Sequence, residues 1–123
     1  MTYPTEAALV TAITEALGCL GYLVARVGQH RTQGSGTTVG FPDLAVRHPH
    51  WRAGKAVLLE VKNGNKGKLS PAQEEMLALG WMHVVRSVED ALEAVMWHEE
   101  SASRAARLLD VAARMRSQEK PTC

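Results

Sequence analysis

The segment Val-Leu-Leu-Glu-Val-Lys, residues 57–62, constrains the fold more than any other part of the chain. Its first residues are apolar at consecutive positions, which is typical of a central strand buried on both faces of a sheet. The strand then ends in Glu60 and Lys62, whose side chains share one face because strand residues two apart point the same way. Burial of a carboxylate and an ammonium costs several kcal/mol per ion unless each is paired or bound to a metal. The segment therefore indicates a site at the end of a buried strand, with a structural Lys–Glu ion pair as the alternative.

A second carboxylate, Asp43, begins another apolar strand, which we predict over residues 42–47. A short connection joins this strand to the one predicted over residues 56–62, so the two are expected to form an antiparallel hairpin. The start of one strand then lies beside the end of the next, which brings Asp43 close to Glu60. Two carboxylates and the main-chain carbonyl of Val61 form the hard, oxygen-rich site that Mg²⁺ or Mn²⁺ prefers. Asp43 makes a purely structural ion pair the weaker interpretation.

Glu6 is a candidate for a further metal ligand. On the predicted first helix it shares a stripe with Leu9, Ile13 and Leu17, since offsets of 3, 7 and 11 fall on one helix face. A glutamate in a core-facing stripe needs a partner, and a metal or its bound water would serve. The alternative is that Glu6 only occupies the first turn, where a carboxylate favours the helix dipole.

The other elements are predicted from hydrophobic periodicity and helix caps. One helix is predicted over residues 4–20 with Thr2 as its cap, and a second from Ser70-Pro71-Ala72-Gln73 to near Gly80. A third helix is predicted to begin at Ser87, and a fourth covers 101–116. Two further strands are predicted over 22–27 and 81–86, and a mobile loop over 29–40. The order up to the helix that begins at Ser87, αβββαβα with a mixed central sheet flanked by helices, predicts an α/β fold, and the helix over 101–116 lies in the tail. We expect one domain over residues 1–123, with a core at about 5–98 and a helical tail at 99–123.

Composition restricts the class of protein. Of the 123 residues, 46% are hydrophobic and 22% are charged, which is typical of a soluble globular domain. Apolar runs are shorter than the roughly 20 residues needed to span a bilayer, so no membrane partner is expected. With Cys19 and Cys123 as the two cysteines, no stabilising disulfide is expected and a cytoplasmic location fits. Trp81 is expected in the core.

The residue types at the end of the 56–62 strand suit phosphodiester hydrolysis. That reaction requires a water made nucleophilic and a stabilised negative charge on the transferring phosphorus centre. A divalent metal held by Asp43 and Glu60 can supply both effects. Lys62 can hold the attacking water or contact the scissile phosphate.

These residues, in this order, resemble the PD-(D/E)xK nuclease superfamily, whose motif matches Pro42-Asp43 and then Glu60-Val61-Lys62. The resemblance narrows to the VRR-NUC family on five segments: Glu6 on an opening helix, Gly40-Phe41-Pro42-Asp43-Leu44, Glu60-Val61-Lys62, Lys68-Leu69-Ser70-Pro71-Ala72-Gln73, and Val84-Val85-Arg86-Ser87. It covers residues ~5–95 and implies a restriction-endonuclease-like core.

The resemblance also implies a metal-dependent DNA nuclease in which Asp43, Glu60 and Lys62 are catalytic. Glu6 and Gln73 would line the site, with Gln73 positioning water or phosphate. Helix capping is a compatible alternative role for Gln73.

Stand-alone members of this length resemble phage-encoded proteins, which act in the cytoplasm of a bacterial host. They are similar in behaviour to Holliday-junction resolvases that work as homodimers, since a four-way junction needs two symmetric cuts. Small size and an apolar stripe on the last helix also motivate the homodimer. The alternatives are a flap- or end-processing nuclease and a DNA-binding module of the same fold that does not cut.

Basic residues around the predicted site are candidates for DNA contacts, although the net charge is only +1. Lys66 and Lys68 lie in the glycine-rich loop after the 56–62 strand. Arg31 lies in the loop 29–40, which we expect to act as a flexible flap over the DNA backbone.

Overall fold

A computed structural model describes residues 3–27, 40–64 and 67–118 of the chain. The helices are α1 (Glu6–Cys19), α2 (Pro71–Ala78), α3 (Val88–Trp97) and α4 (Ala102–Arg116). The strands are β1 (Leu23–Arg26), β2 (Leu44–Arg47), β3 (Val57–Val61) and β4 (His83–Val85). The predicted αβββαβα order is confirmed, and α4 is the helix of the C-terminal tail. Within these ranges, no helix combines the length and the apolar character needed to cross a membrane.

The four strands form one mixed sheet in the order β1-β2-β3-β4. β2 is antiparallel to both β1 and β3, whereas β4 runs parallel to β3. The register pairs Leu44 with Leu59, so the predicted hairpin of β2 and β3 is confirmed. The parallel pairing of β3 and β4 follows from the long connection through α2, because parallel neighbours need a crossover.

The sheet separates the main hydrophobic core from a second, more polar face. α1 and α3 pack together against the sheet, and α4 packs on α3. The core face carries Leu44 and Val46 of β2 with Leu59 and Val61 of β3, all 0% exposed. Since side chains alternate along a strand, Glu60 points to the opposite face.

α1 begins later than predicted. Its cap is Thr5, whose side chain accepts a hydrogen bond from the N–H of Ala8 at 3.0 Å. Leu9 and Ile13 are 0% exposed, as the predicted stripe requires. Glu6, however, is the first residue of the helix and is exposed. The expectation that Glu6 faces the core is therefore wrong, because the packed part of the stripe starts one turn further on.

Two other expectations are wrong. Trp81 is 56% exposed, because it precedes β4 at the edge of the packed layers. Cys19 is disulfide-bonded. It is the last residue of α1 and is only half-buried, so it lies at the edge of the apolar stripe from which its burial was inferred. Cys123 lies outside the described residues.

Candidate active site

Asp43 lies immediately before β2 and directly opposite Glu60 when the β2–β3 register is continued by one residue. Its Oδ2 accepts a hydrogen bond from the N–H of Val61 at 2.9 Å. Its carbonyl accepts one from the N–H of Val27, also at 2.9 Å. Residues opposite one another in an antiparallel pair project to the same face. The structure thus brings Asp43 and Glu60, hereafter the carboxylate pair, to one face at one end of the hairpin.

Pro42 and Val61 add a main-chain oxygen to this end of the hairpin. The N–H of Val61 points toward Asp43. Its carbonyl points the same way, because both polar groups of a residue in an antiparallel ladder face the same neighbouring strand. The next position of the register sets Val61 opposite Pro42, which has no N–H to donate. Pro42 therefore cannot complete the ladder at the carbonyl of Val61, which suits that oxygen to a ligand role.

Glu60 is buried among polar partners. The residue is 1% exposed. Its Oε2 accepts a hydrogen bond from Nε2 of Gln73 at 3.0 Å. The same oxygen lies 3.4 Å from Nζ of Lys62, whose side chain is 13% exposed. Glu60 and Lys62 therefore lie on one face, and Gln73 joins them from a different element.

The first turn of α2 positions Gln73. Ser70 and Gln73 form a reciprocal capping box, with the side chain of each accepting from the main-chain N–H of the other. Gln73 thus caps the helix through Oε1, as the capping alternative predicts, and it donates to Glu60 through Nε2, which places it beside the carboxylate pair. Its predicted role in positioning water or phosphate stays a prediction. Gly40 packs on the same turn: at its φ of +86°, an added Cβ would lie 2.8 Å from the Cβ of Ala72. This close approach holds the chain leading to Asp43 against α2.

The predicted DNA contacts fall mostly outside the described residues. Arg31 and Lys66 lie there, as does the predicted loop 29–40 apart from Gly40. Lys68 is described and exposed, so its ammonium is accessible to a phosphate.

The carboxylate pair and the carbonyl of Val61 are the candidate ligands for a hard divalent cation. In the described ranges, no group of three or more His, Cys, Asp or Glu side chains is arranged to hold a metal ion. Glu6 is thus not assembled with the carboxylate pair as a third acidic ligand. Mg²⁺, however, is commonly held by one or two carboxylates, with waters and substrate phosphates completing the octahedron. The carboxylate pair and the carbonyl of Val61 fit that coordination chemistry.

Arg86 was part of the family resemblance, but the sequence assigned it no role; it follows β4 directly and contacts Gly64 and Gly67, which come after Lys62. Its Nη1 donates to the carbonyls of Gly64 and Gly67, at 2.7 Å and 2.8 Å. The position of Arg86 in the sequence could have indicated a role. A long cation at the end of β4 occupies the place that Lys62 occupies at the end of β3, and β3 and β4 are parallel.

A separate polar network centres on Glu99, at the opposite end of the hairpin from the carboxylate pair. Glu99 accepts hydrogen bonds from Tyr22, Trp51, Ser101 and Arg104. Burial alone raises the pKa of Glu99, but these hydrogen bonds outweigh it and lower the pKa to about 2. Burial and the bond to Glu99 raise the pKa of Tyr22. The network ties the α3–α4 connection to β1 and to the turn between β2 and β3.

Comparison of the chain with protein-family models, with curated proteins and with solved structures found no match.

Proposed function

We propose that this protein is a Mg²⁺- or Mn²⁺-dependent deoxyribonuclease that hydrolyses phosphodiester bonds. The observation that carries the proposal is the carboxylate pair at the end of a buried strand, with Nζ of Lys62 3.4 Å from Oε2 of Glu60. A carboxylate that is 1% exposed is costly to a fold that needs only a core. A chemical role for the carboxylate accounts for that cost.

Each residue of the site has a definite task in this proposal. Asp43, Glu60 and the carbonyl of Val61 would hold the cation. When bound, a divalent cation lowers the pKa of a coordinated water and neutralises charge on phosphate oxygens. Lys62 donates a hydrogen bond to the attacking water or to the scissile phosphate. Gln73 orients the carboxylate of Glu60 through Nε2.

The finer fold assignment belongs to the same proposal. The elements from α1 to β4 follow the order of a PD-(D/E)xK core. Pro42-Asp43 precedes β2, and Glu60-Val61-Lys62 closes β3, as in the resembled motif. This agreement of motif and element order supports membership of the VRR-NUC family in its stand-alone, phage-type form. The resemblance implies action in the cytoplasm of a bacterial host, and the disulfide bond of Cys19 argues against that location.

The proposed substrate is branched or duplex DNA, with a four-way junction cut by a homodimer as the leading case. A dimer with twofold symmetry supplies the two active sites that symmetric cleavage needs. The apolar stripe of α4 gives the dimer little support, since Leu108, Val111 and Ala112 are buried where α4 packs on α3. The homodimer is supported instead by the family resemblance and by the symmetry of the four-way junction.

The test is a substrate panel of labelled four-way junction, linear duplex and flap DNA, each with Mg²⁺, Mn²⁺ or EDTA. We expect metal-dependent cleavage of the junction by the unaltered protein and no cleavage by D43N or K62A, with K62A still binding DNA. The matched control is K55A, because Lys55 is also a largely buried lysine, 15% exposed and 3.2 Å from Glu100. K55A should cleave normally.

Each result of the panel decides between functions. Preferred cleavage of the flap would favour an end-processing nuclease over a junction resolvase. Binding without cleavage in every metal would leave a DNA-binding module. Normal cleavage by K62A would remove Lys62 from the mechanism, and a monomer by light scattering at micromolar concentration would count against symmetric junction cleavage.

A further inference from the structure

Arg86 is fixed from two sides at the end of β4. Its main-chain N–H donates to Oδ2 of Asp90, in the first turn of α3, at 2.9 Å. Its guanidinium reaches the other way, where Nη1 donates to the carbonyls of Gly64 and Gly67. Hydrogen bonds from a charged donor are stronger than those between neutral groups. Arg86 therefore ties α3 to the two glycines that flank residues 65–66.

Gly67, whose carbonyl accepts from Arg86, is packed against Lys62. A Cβ added to Gly67 would lie 2.9 Å from Cβ and 3.2 Å from Cδ of Lys62, so only glycine allows the backbone this close to the lysine stem. The main chain of Lys62 is held by the neighbouring strand, because its N–H donates to the carbonyl of Val85 at 3.0 Å. Its side chain has four rotatable bonds and a strongly hydrated ammonium, which favour extension into water. Gly67 covers the stem and leaves the ammonium beside Glu60.

We propose that Arg86 is a positioning residue for Lys62, acting through the backbone of Gly67. The proposal rests on the proposed function for its catalytic consequence, but not for the contact itself. Without the guanidinium, the carbonyls of Gly64 and Gly67 lose their shared donor, Gly67 moves away from Lys62, and the ammonium leaves Glu60.

The first test measures the contact without any assay of activity. Lysines are acetylated with sulfo-N-hydroxysuccinimide acetate under native conditions, and the rate at each lysine is followed by mass spectrometry. The side chain of Lys62 is 13% exposed in the unaltered protein. In R86A we expect it to become more exposed and its acetylation rate to rise by about threefold or more. Lys55, 15% exposed and held by Glu100, should keep its rate.

Arg47 supplies the matched control. Its guanidinium also holds a turn through main-chain carbonyls, those of Trp51 at 3.2 Å and Lys55 at 2.9 Å. R47A should therefore leave the acetylation of Lys62 unchanged. G67A should raise it directly, since the added Cβ displaces the lysine stem. R86K, which keeps the charge but lacks the planar fork, should give an intermediate rate and serves if R86A does not fold.

The outcomes are decisive in both directions. The proposal is supported if Lys62 is acetylated fastest in R86A, more slowly in R86K and slowest in the unaltered protein, while the rate at Lys55 does not change. An unchanged rate at Lys62 in both Arg86 variants, or equal increases at Lys62 and Lys55 that signal general loosening, would overturn it. This test stands even if the protein cuts no DNA, so its failure is distinct from failure of the proposed function.

The second test uses cleavage kinetics on the preferred DNA of the panel. Loss of a residue that orients a catalytic group typically costs about 10–100-fold in activity. We expect R86A to lower kcat by that factor with KM changed less than about twofold, R86K to recover part of the loss, and R47A to match the unaltered protein. A rise in KM with kcat unchanged would instead make Arg86 a DNA-binding residue and overturn the positioning role.

Discussion

Removal of the two charges of Glu60 and Lys62, singly and together, is expected to show that the fold tolerates this buried ion pair and does not depend on it. The variants are K62M, E60Q and the double variant E60Q/K62M. Their free energies of unfolding show whether the charges of Glu60 and Lys62 stabilise the fold or are only tolerated by it. The burial of the two groups and the bond from Gln73 set the expected magnitudes.

K62M removes the ammonium whose Nζ lies 3.4 Å from Oε2 of Glu60, a side chain that is 2% exposed. Loss of one partner from a buried pair costs about 3–5 kcal/mol. E60Q is milder, at about 1–2 kcal/mol, because Lys62 is 13% exposed and its ammonium can turn toward water. In E60Q/K62M the new amide oxygen still accepts from Gln73, and both charges of the Glu60–Lys62 pair are removed. That variant should lie within about 1 kcal/mol of the unaltered protein, or above it.

The assay is urea unfolding in EDTA, followed by the fluorescence of the tryptophans, of which Trp51 is 3% exposed. Midpoints are compared only where the slopes agree, since a changed slope signals a changed unfolded state. The matched control is K55M/E100Q with its single variants. That pair is 3.2 Å apart but more exposed, at 15% and 30%, so each change should cost about 1 kcal/mol or less.

The reasoning is refuted if E60Q/K62M is destabilised as much as K62M. The pair would then hold the fold, and its burial would no longer point to a chemical role. A larger loss in E60Q than in K62M would refute the use of burial to rank the two charges.

Two further predictions concern other parts of the fold. G40A should destabilise the protein by about 1–3 kcal/mol in urea unfolding, because Gly40 has a φ of +86° and an added Cβ would lie 2.8 Å from the Cβ of Ala72. G54A is the control and should cost less, since Gly54 has a similar φ of +84° but no atom near an added Cβ. Equal losses of stability in the two variants would show that the contact with α2 does not matter. The pKa of Glu99 is lowered from 4.5 to about 2 on folding, so its contribution is fully present above pH 4.5 and is lost as the pH falls toward 2. E99Q should therefore flatten the acid side of the stability profile by at most about 3 kcal/mol, and an unchanged acid slope would contradict this.

Much of the candidate site could be predicted from the sequence because its determinants are local. The period of two along β3 sets Glu60 and Lys62 on one face, and a short connection makes β2 and β3 antiparallel, which sets Asp43 opposite Glu60. The capping box of α2 needs only residues three apart. Each of these features follows from backbone geometry over a few residues.

The features that sequence could not supply depend on how elements dock. Arg86 reaches the carbonyl of Gly64 across 22 positions of the chain, and the resemblance named Gln73 without indicating its hydrogen bond to Glu60 across 13 positions. The exposure of Trp81 and Glu6 was likewise decided by where the packed layers end. Periodicity states which face of an element is apolar, but not how far its neighbour covers that face.

The sequence by itself thus determined the order of the elements, the hairpin and the residues of the carboxylate pair. Only the tertiary structure decided which side chains surround the pair, because α2 and the end of β4 reach it from distant parts of the chain. Backbone hydrogen bonding and side-chain alternation act over a few residues and can be read along the chain. Docking minimises exposed apolar area over the whole fold at once, and therefore has no local signature.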